Sequence, residues 1–221
     1  FLEHCVRDDL KLKTETRNVV FDPIKVILTN HPGDRAERMV MENNREVPAL
    51  GEREVPFGRE LYIDGADFME TPAHKYFRLY PGNEVRLKGA YFITCREVVK
   101  NADGTIRELL CTYDPDTKSG SGFGDRKVKG TIHWVEAHTA TPITVREYGH
   151  LMIAGESGKE TFNPDSVRER RCFAEPSVAE TAPGQRYQFF RHGYYICGET
   201  TEAQERKVFH RIVGLKSSWR K

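Results

Sequence analysis

Apolar residues at the start of the chain recur at every fourth position, Leu2, Val6 and Leu10, with Cys5, Asp9 and Lys13 distributed around them. That spacing is the stripe of an amphipathic helix and predicts one short helix over residues 1–12. Beyond it the period drops to two. Ile24, Val26 and Leu28, then Val55 and Phe57, Leu61 and Ile63, Tyr91, Ile93 and Cys95, and finally the run of Val128, Ile132 and Trp134 read as extended strands with one apolar face. Two stretches break the pattern, residues 33–51 and 156–182, and are expected to be irregular, the second with a short helix near Val167.

Turn signals separate these runs at short intervals: Asn30-His31-Pro32-Gly33, Pro81-Gly82, Asn101-Ala102-Asp103-Gly104, Ser119 to Gly124, and Pro183-Gly184. Closely spaced strands and turns favour hairpins, and hence antiparallel sheets closed as barrels or sandwiches. The clearest expected hairpin pairs Tyr91 to Lys100 with Thr105 to Tyr113, where Gly104 can take a positive φ without steric cost.

Composition narrows the class. The 34 Lys and Arg residues nearly balance 33 Asp and Glu, a formal net charge of +1 on 221 residues, so any nucleic-acid site has to be a local patch. With 38% hydrophobic and 30% charged residues the chain reads as globular. It carries no apolar run of about 18 residues and no signal-like start, so a cytosolic protein is expected. Cys5, Cys95, Cys111, Cys172 and Cys197 are scattered and are expected to be reduced, mostly core thiols. A start at Phe1 without methionine is expected of a piece of a longer polypeptide.

Catalytic chemistry finds little purchase. His133 and His138 are five apart, which suits no common zinc motif, and His133, opposite in phase to Ile132 and Trp134, is expected at the surface or on a strand edge. The glycines at 120, 122 and 124 precede Lys127, but a strand follows where a phosphate loop needs Ser or Thr and a helix. No nucleophile or metal-hydrolase motif occurs, so no catalytic residue and no metal are expected. Basic and aromatic residues do interleave, at Lys75-Tyr76-Phe77-Arg78 with Arg86 and Lys88, at Arg126-Lys127-Val128-Lys129, and at Tyr187-Gln188-Phe189-Phe190-Arg191-His192. Such groups meet phosphates, stack on unpaired bases and read base edges.

Longer strings carry more. Arg53-Glu54-Val55-Pro56-Phe57, Glu60-Leu61-Tyr62-Ile63, Asp67-Phe68, Tyr76 to Tyr80, Gly82 to Leu87, Cys111 to Asp114, Lys127-Val128-Lys129-Gly130-Thr131-Ile132-His133-Trp134-Val135 and Phe173 to Ser177 follow one another in order. Together they resemble the C-terminal anticodon-binding region of bacterial-type glutaminyl-tRNA synthetases, which are class I enzymes. The related glutamyl enzymes and a stand-alone L25-like RNA-binding module are the alternatives.

The resemblance implies an all-β fold of two antiparallel six-stranded β-barrels of the ribosomal protein L25 type, preceded by a short helix. Residues 1–14 would end a helical connector. Residues 15–118 would form a first barrel and 119–221 a second, with the C-terminal strands returning to the first. It also implies tRNA(Gln) as partner, a monomer, and a catalytic N-terminal domain of the same polypeptide that uses ATP to join glutamine to the tRNA. This piece would bind RNA without cofactor or catalysis. By the resemblance Arg78 reads the third anticodon base, Gln188 and Arg191 the central one, and Arg86 and Lys88 the first base and nearby phosphates, with Lys75 and Phe77 beside them. A family arginine for the central base falls at Thr16. Either the register slips by one or Arg17 takes its place.

Overall fold

A computed structural model describes residues 1–33, 36–124, 126–154, 159–199 and 206–215. Glu156, where the second irregular stretch was expected to begin, and everything after Leu215 lie outside the described residues. The opening helix runs over Leu2–Lys13 and stops where Thr14 turns extended, its amide bonded to the Leu10 carbonyl at 3.0 Å. Its inner face, Val6 and Leu10, rests on Tyr194 and Val213. No helix among the described residues is long and apolar enough to cross a membrane.

Two seven-stranded sheets make up the body. In the first, Thr131–Ile132, Glu84–Leu87, Phe92–Lys100, Ile106–Asp114, Ile24–Leu28, Glu60–Ile63 and Trp134–Glu136 pair in that spatial order. The two edge strands are consecutive in sequence, separated by His133 alone, so one broken strand bridges both edges and the sheet nearly closes. The second sheet repeats the device. Its order is Glu15–Arg17, Arg186–Phe189, Gly193–Cys197, Lys207–Gly214, Thr141–Tyr148, Val167–Ala174 and Val19–Phe21, and Asn18 alone breaks the closing strand. Counting each broken strand once gives two six-stranded barrels, as expected.

Two findings refine the expectation. Each barrel is mainly antiparallel but carries two parallel pairs, among them Ile24–Leu28 with Ile106–Asp114 and Thr141–Tyr148 with Lys207–Gly214. The division at residue 118 also does not follow the sheets. Strands at residues 15–21 belong with the C-terminal strands, and Thr131–Glu136 closes the other barrel, because the chain crosses between barrels at both closing strands.

The expected hairpin forms as Phe92–Lys100 against Ile106–Asp114, with Gly104 at φ 84°. The stretches expected to be irregular contain strands: Glu37–Glu42 pairs with Glu52–Phe57, and Val167–Ala174 pairs along its whole length with Thr141–Tyr148. Pairing with a distant partner, not local preference, makes Val167 a strand residue instead of a helical one. Val128 precedes its strand, which begins at Thr131.

Each barrel has its own core. Phe57, Leu61, Ile63 and Leu109 pack around Trp134 in the first, with Met39 and Met41 of the Glu37–Glu42 hairpin covering one side. Phe21, Phe189, Tyr195 and Phe209 fill the second. Cys95, Cys111, Cys172 and Cys197 are buried and unbridged, and Cys5 is exposed.

Candidate nucleic-acid interface

The barrels meet where their broken strands touch. Asn18 donates its side-chain amide to the Trp134 carbonyl at 3.2 Å, and His133 Nε2 lies 2.8 Å from the Val19 carbonyl. A residue that steps from one sheet edge to the other leaves part of its backbone unpaired, and the facing strand meets that need. His133 is therefore 1% exposed, not at the surface. The face opposite Ile132 and Trp134, which a single barrel would turn to water, is covered by the second barrel. Burial, reinforced by the charge of His192, pushes its pKa down to about 3.

Two acidic turns seal the seam. Asp64 accepts the Phe21 amide at 3.0 Å and the Ala66 amide at 3.1 Å, and His192 Nε2 approaches its carboxylate at 2.8 Å. Burial alone would raise the Asp64 pKa, but the contact with His192, the neighbouring His133 and the Phe21 amide hold it down at about 2. Asp64, His133 and His192 lie close enough together to suit a metal ion. Yet His133 Nε2 faces a carbonyl oxygen and so acts as a donor, which leaves Nδ1 as the lone pair of the ring. On the other flank Glu175, fully buried, accepts the Asn18 amide at 2.8 Å, Arg53 Nη2 at 2.8 Å and Ser177 Oγ at 2.7 Å, with Arg17 Nε at 3.7 Å.

Beside Asp64, the short turn Gly65–Asp67 aims a third carboxylate along the seam. Asp67 is fully buried and binds two arginines from two directions. Arg191, from the turn between Arg186–Phe189 and Gly193–Cys197, donates to both oxygens at 2.9 and 2.7 Å. Arg78 Nη1 stands 3.0 Å from Oδ1 and 3.3 Å from the Thr131 carbonyl. Their side chains remain 32% and 29% exposed for Arg78 and Arg191 respectively. Both line a cleft of about 650 Å³ with Lys75, Tyr76, Phe77 and Lys129.

The cleft offers cations, forked donors and an aromatic face together. Phe77 is 47% exposed, and the Lys129 ammonium sits 5.3 Å from its ring centre. Gly130 is pressed so closely on this segment that a Cβ there would fall 1.9 Å from the Phe77 carbonyl oxygen. Any larger residue has to displace the Phe77-Arg78 backbone. In the sequence nothing marks Lys129 beyond its basic run, or Asp67 beyond its motif string.

Lys88 and Gln188 face a different hollow, about 860 Å³, between the opening helix and the seam. The Lys88 ammonium sits 3.7 Å from the ring centre of Phe190. Burial, with the charge of Arg53 adding to it, lowers its pKa to about 8. Thr16 pairs with Gln188 in register and shares this hollow, its hydroxyl 3.5 Å from Gln188 Oε1. Arg17 points the other way, as the next residue on a strand must. It is buried against Glu15, Asn43 and Glu175 and covers the Tyr187 ring at 4.7 Å.

Arg86 joins neither hollow. Its guanidinium lies 4.2 Å over Phe92 and donates to Ser119 Oγ at 2.9 Å. Phe123 of the glycine loop packs edge-on to the same Phe92, and Arg126 pairs with Glu84 and Asp114. Phe123 thus ties the loop to the barrel, and Arg126 is held by two carboxylates.

Two family models, each described as tRNA synthetases class I (E and Q), anti-codon binding domain, match in succession, one over residues 17–114 and the other over residues 131–198. Glutamine--tRNA ligase of Clostridium perfringens is 46% identical over 225 residues, covering 99% of this chain and 41% of that protein. The Clostridioides difficile protein of the same name is 44% identical over 99% of this chain and 41% of its own length, and that of Nitrobacter hamburgensis 43% over 100% and 40%. The chain thus spans about two fifths of the length of the relatives it matches. With two barrels joined at an arginine-lined seam and likeness along its whole length, it belongs to the anticodon-binding region of the class I tRNA synthetases (E and Q) and aligns with the glutamine ligases.

Proposed function

We propose that this chain reads the anticodon of tRNA(Gln) within a glutamine-tRNA ligase. The observation that carries the reading is the pair Arg78 and Arg191, delivered by separate barrels and fixed on Asp67 with their guanidinium edges open to one cleft. A bidentate guanidinium matches the O6 and N7 acceptors of guanine, and an exposed Phe77 offers a stacking face to a splayed base. In this assignment Arg78 reads the third anticodon base, Arg191 and Gln188 the central uracil, and Lys88, with Arg86 nearby, the first base and its phosphates. Lys75 and Lys129 hold the backbone. Thr16 takes the place beside Gln188, and Arg17 serves the barrel contact.

Residues 1–14 end a connector to the remainder of the polypeptide, which carries ATP and the ligation of glutamine to the tRNA. The protein acts in the cytoplasm as a monomer. The chain itself selects and does not catalyse.

Filter binding of the chain to tRNA(Gln) and to a copy with an exchanged anticodon, over a range of salt, tests the proposal. Tighter binding of the native anticodon is expected, with a log-log salt slope of about −0.7 per neutralised phosphate of the unpaired loop. Equal affinity for the two copies would sink it.

A further inference from the structure

Resting on that reading, we propose that Asp67 is a positioning residue that couples recognition of two neighbouring anticodon letters across the seam. Arg78 and Arg191 have no other acidic partner among the described residues, and the carboxylate that holds them has no exposed surface. One group therefore sets the position of two readers that belong to different barrels.

Backbone geometry points the same way. Three non-glycine residues of the described chain adopt a left-handed φ, and two of them border this cleft, Lys75 at 62° and Arg191 at 69°. Such a conformation is costly for a residue with a Cβ and persists where its surroundings hold it. Around Arg191 those surroundings are the Phe190 amide bonded to the Arg17 carbonyl at 3.0 Å, the His192 amide bonded to Phe189 at 2.9 Å, and the two bonds to Asp67. Removing the last frees the guanidinium from its acidic partner.

Base reading by a forked donor demands a geometry held to within about 0.5 Å, and a long arginine side chain does not hold that by itself. An ionised carboxylate can accept from both guanidinium groups at once, whereas an amide offers one oxygen and turns an NH₂ toward a cation. Asp67→Asn keeps the shape and removes the shared anchor.

The test measures affinity of the wild-type chain and Asp67→Asn for tRNA(Gln), for a copy altered at the third anticodon base and for a copy altered at the central base. Discrimination at both letters is expected to fall about tenfold or more, while affinity for the altered copies and the salt slope stay within about threefold of wild type. Equal weakening toward all three RNAs would mean a structural role only, and intact discrimination at either letter would overturn the coupling. Asp64→Asn, in the same turn but touching neither arginine, is the control: it is expected to lower the unfolding midpoint and keep discrimination.

A cycle of Arg78→Ala, Arg191→Ala and the double variant gives the same answer without altering Asp67. Coupling of about threefold or more between losses at different letters is expected, and strict additivity would overturn the proposal. If the wild-type chain does not discriminate between the three RNAs, the anticodon reading itself fails.

Discussion

Both ends of the barrel seam use one device, a buried carboxylate gripping two arginines, yet the two ends differ in what they leave open. Glu175 holds Arg53 and Arg17 with those side chains 8% and 9% exposed, whereas Asp67 holds Arg78 and Arg191 at about four times that exposure. Sealed on all sides, the Glu175 cluster can only join the barrels. The Asp67 cluster faces a cleft and presents unsatisfied donor edges to whatever enters it. Arginine and acid content says nothing about this difference. How far the surrounding protein covers each arginine side chain decides it.

The comparison breaks most visibly at the sealed end. Glu175→Gln is expected to cost about 3–5 kcal/mol of stability, because two arginines remain buried without an anion. Denaturant unfolding measures it, and a loss below about 1 kcal/mol would mean the two ends are alike. Arg78→Ala at the open end is expected to leave the unfolding midpoint nearly unchanged. It should cost about 1–3 kcal/mol of binding to tRNA(Gln) and relax selection at one base. A large drop in stability for this variant would place Arg78 with the structural arginines.

Between the ends, His133 gives the seam a pH dependence. Its folded pKa lies at about 3, below the 6.5 of an unperturbed histidine, so the unfolded chain takes up a proton that the folded chain refuses. The stabilisation is whole above pH 6.5 and is lost as pH falls toward 3, at about 1.4 kcal/mol per pH unit from this one group. Unfolding curves at pH 6 and pH 4.5 for the wild-type chain and His133→Asn should diverge by that slope. Parallel curves would contradict it. The smallest effect belongs to the ion pair of Arg38 and Glu54, which sits on an exposed hairpin at 2.6 Å. Its removal should change stability by less than about 0.5 kcal/mol.

What the sequence reveals and what it hides follow the same division. The hairpin around Gly104 was legible because a four-residue loop between alternating runs fixes its own pairing. Two six-stranded barrels followed from long strings of family resemblance, not from periodicity. The crossing of the chain between barrels was not legible. The chain changes barrel between Phe21 and Ile24 and again between Glu136 and Thr141, after closing strands whose breaks at Asn18 and His133 leave no mark in the alternation. His133 shows the cost: a residue in polar phase on one barrel becomes interior when a second barrel covers that face.

The same reason decides the site. Arg78, Arg191, Lys75 and Phe77 could be named from their strings, and they do gather in one cleft. Lys88 and Gln188 gather in another, and Arg86 in neither. Asp67 stood in a motif string but with no sign of its role, since a single acid in a Gly-Ala-Asp turn has no pattern that distinguishes it from a solvated one. Between Thr16 and Arg17 the side-chain alternation of one strand settles which of them faces Gln188, and that required knowing which face is closed.

The central claim is that the open arginine pair reads bases. It is tested most directly by titrating labelled anticodon stem-loops of tRNA(Gln), native and with the third letter changed, against the wild-type chain and Arg78→Ala. The account expects the wild-type chain to prefer the native stem-loop by about tenfold or more and Arg78→Ala to lose that preference. A preference that survives in Arg78→Ala, with only a uniform fall in affinity, would contradict it.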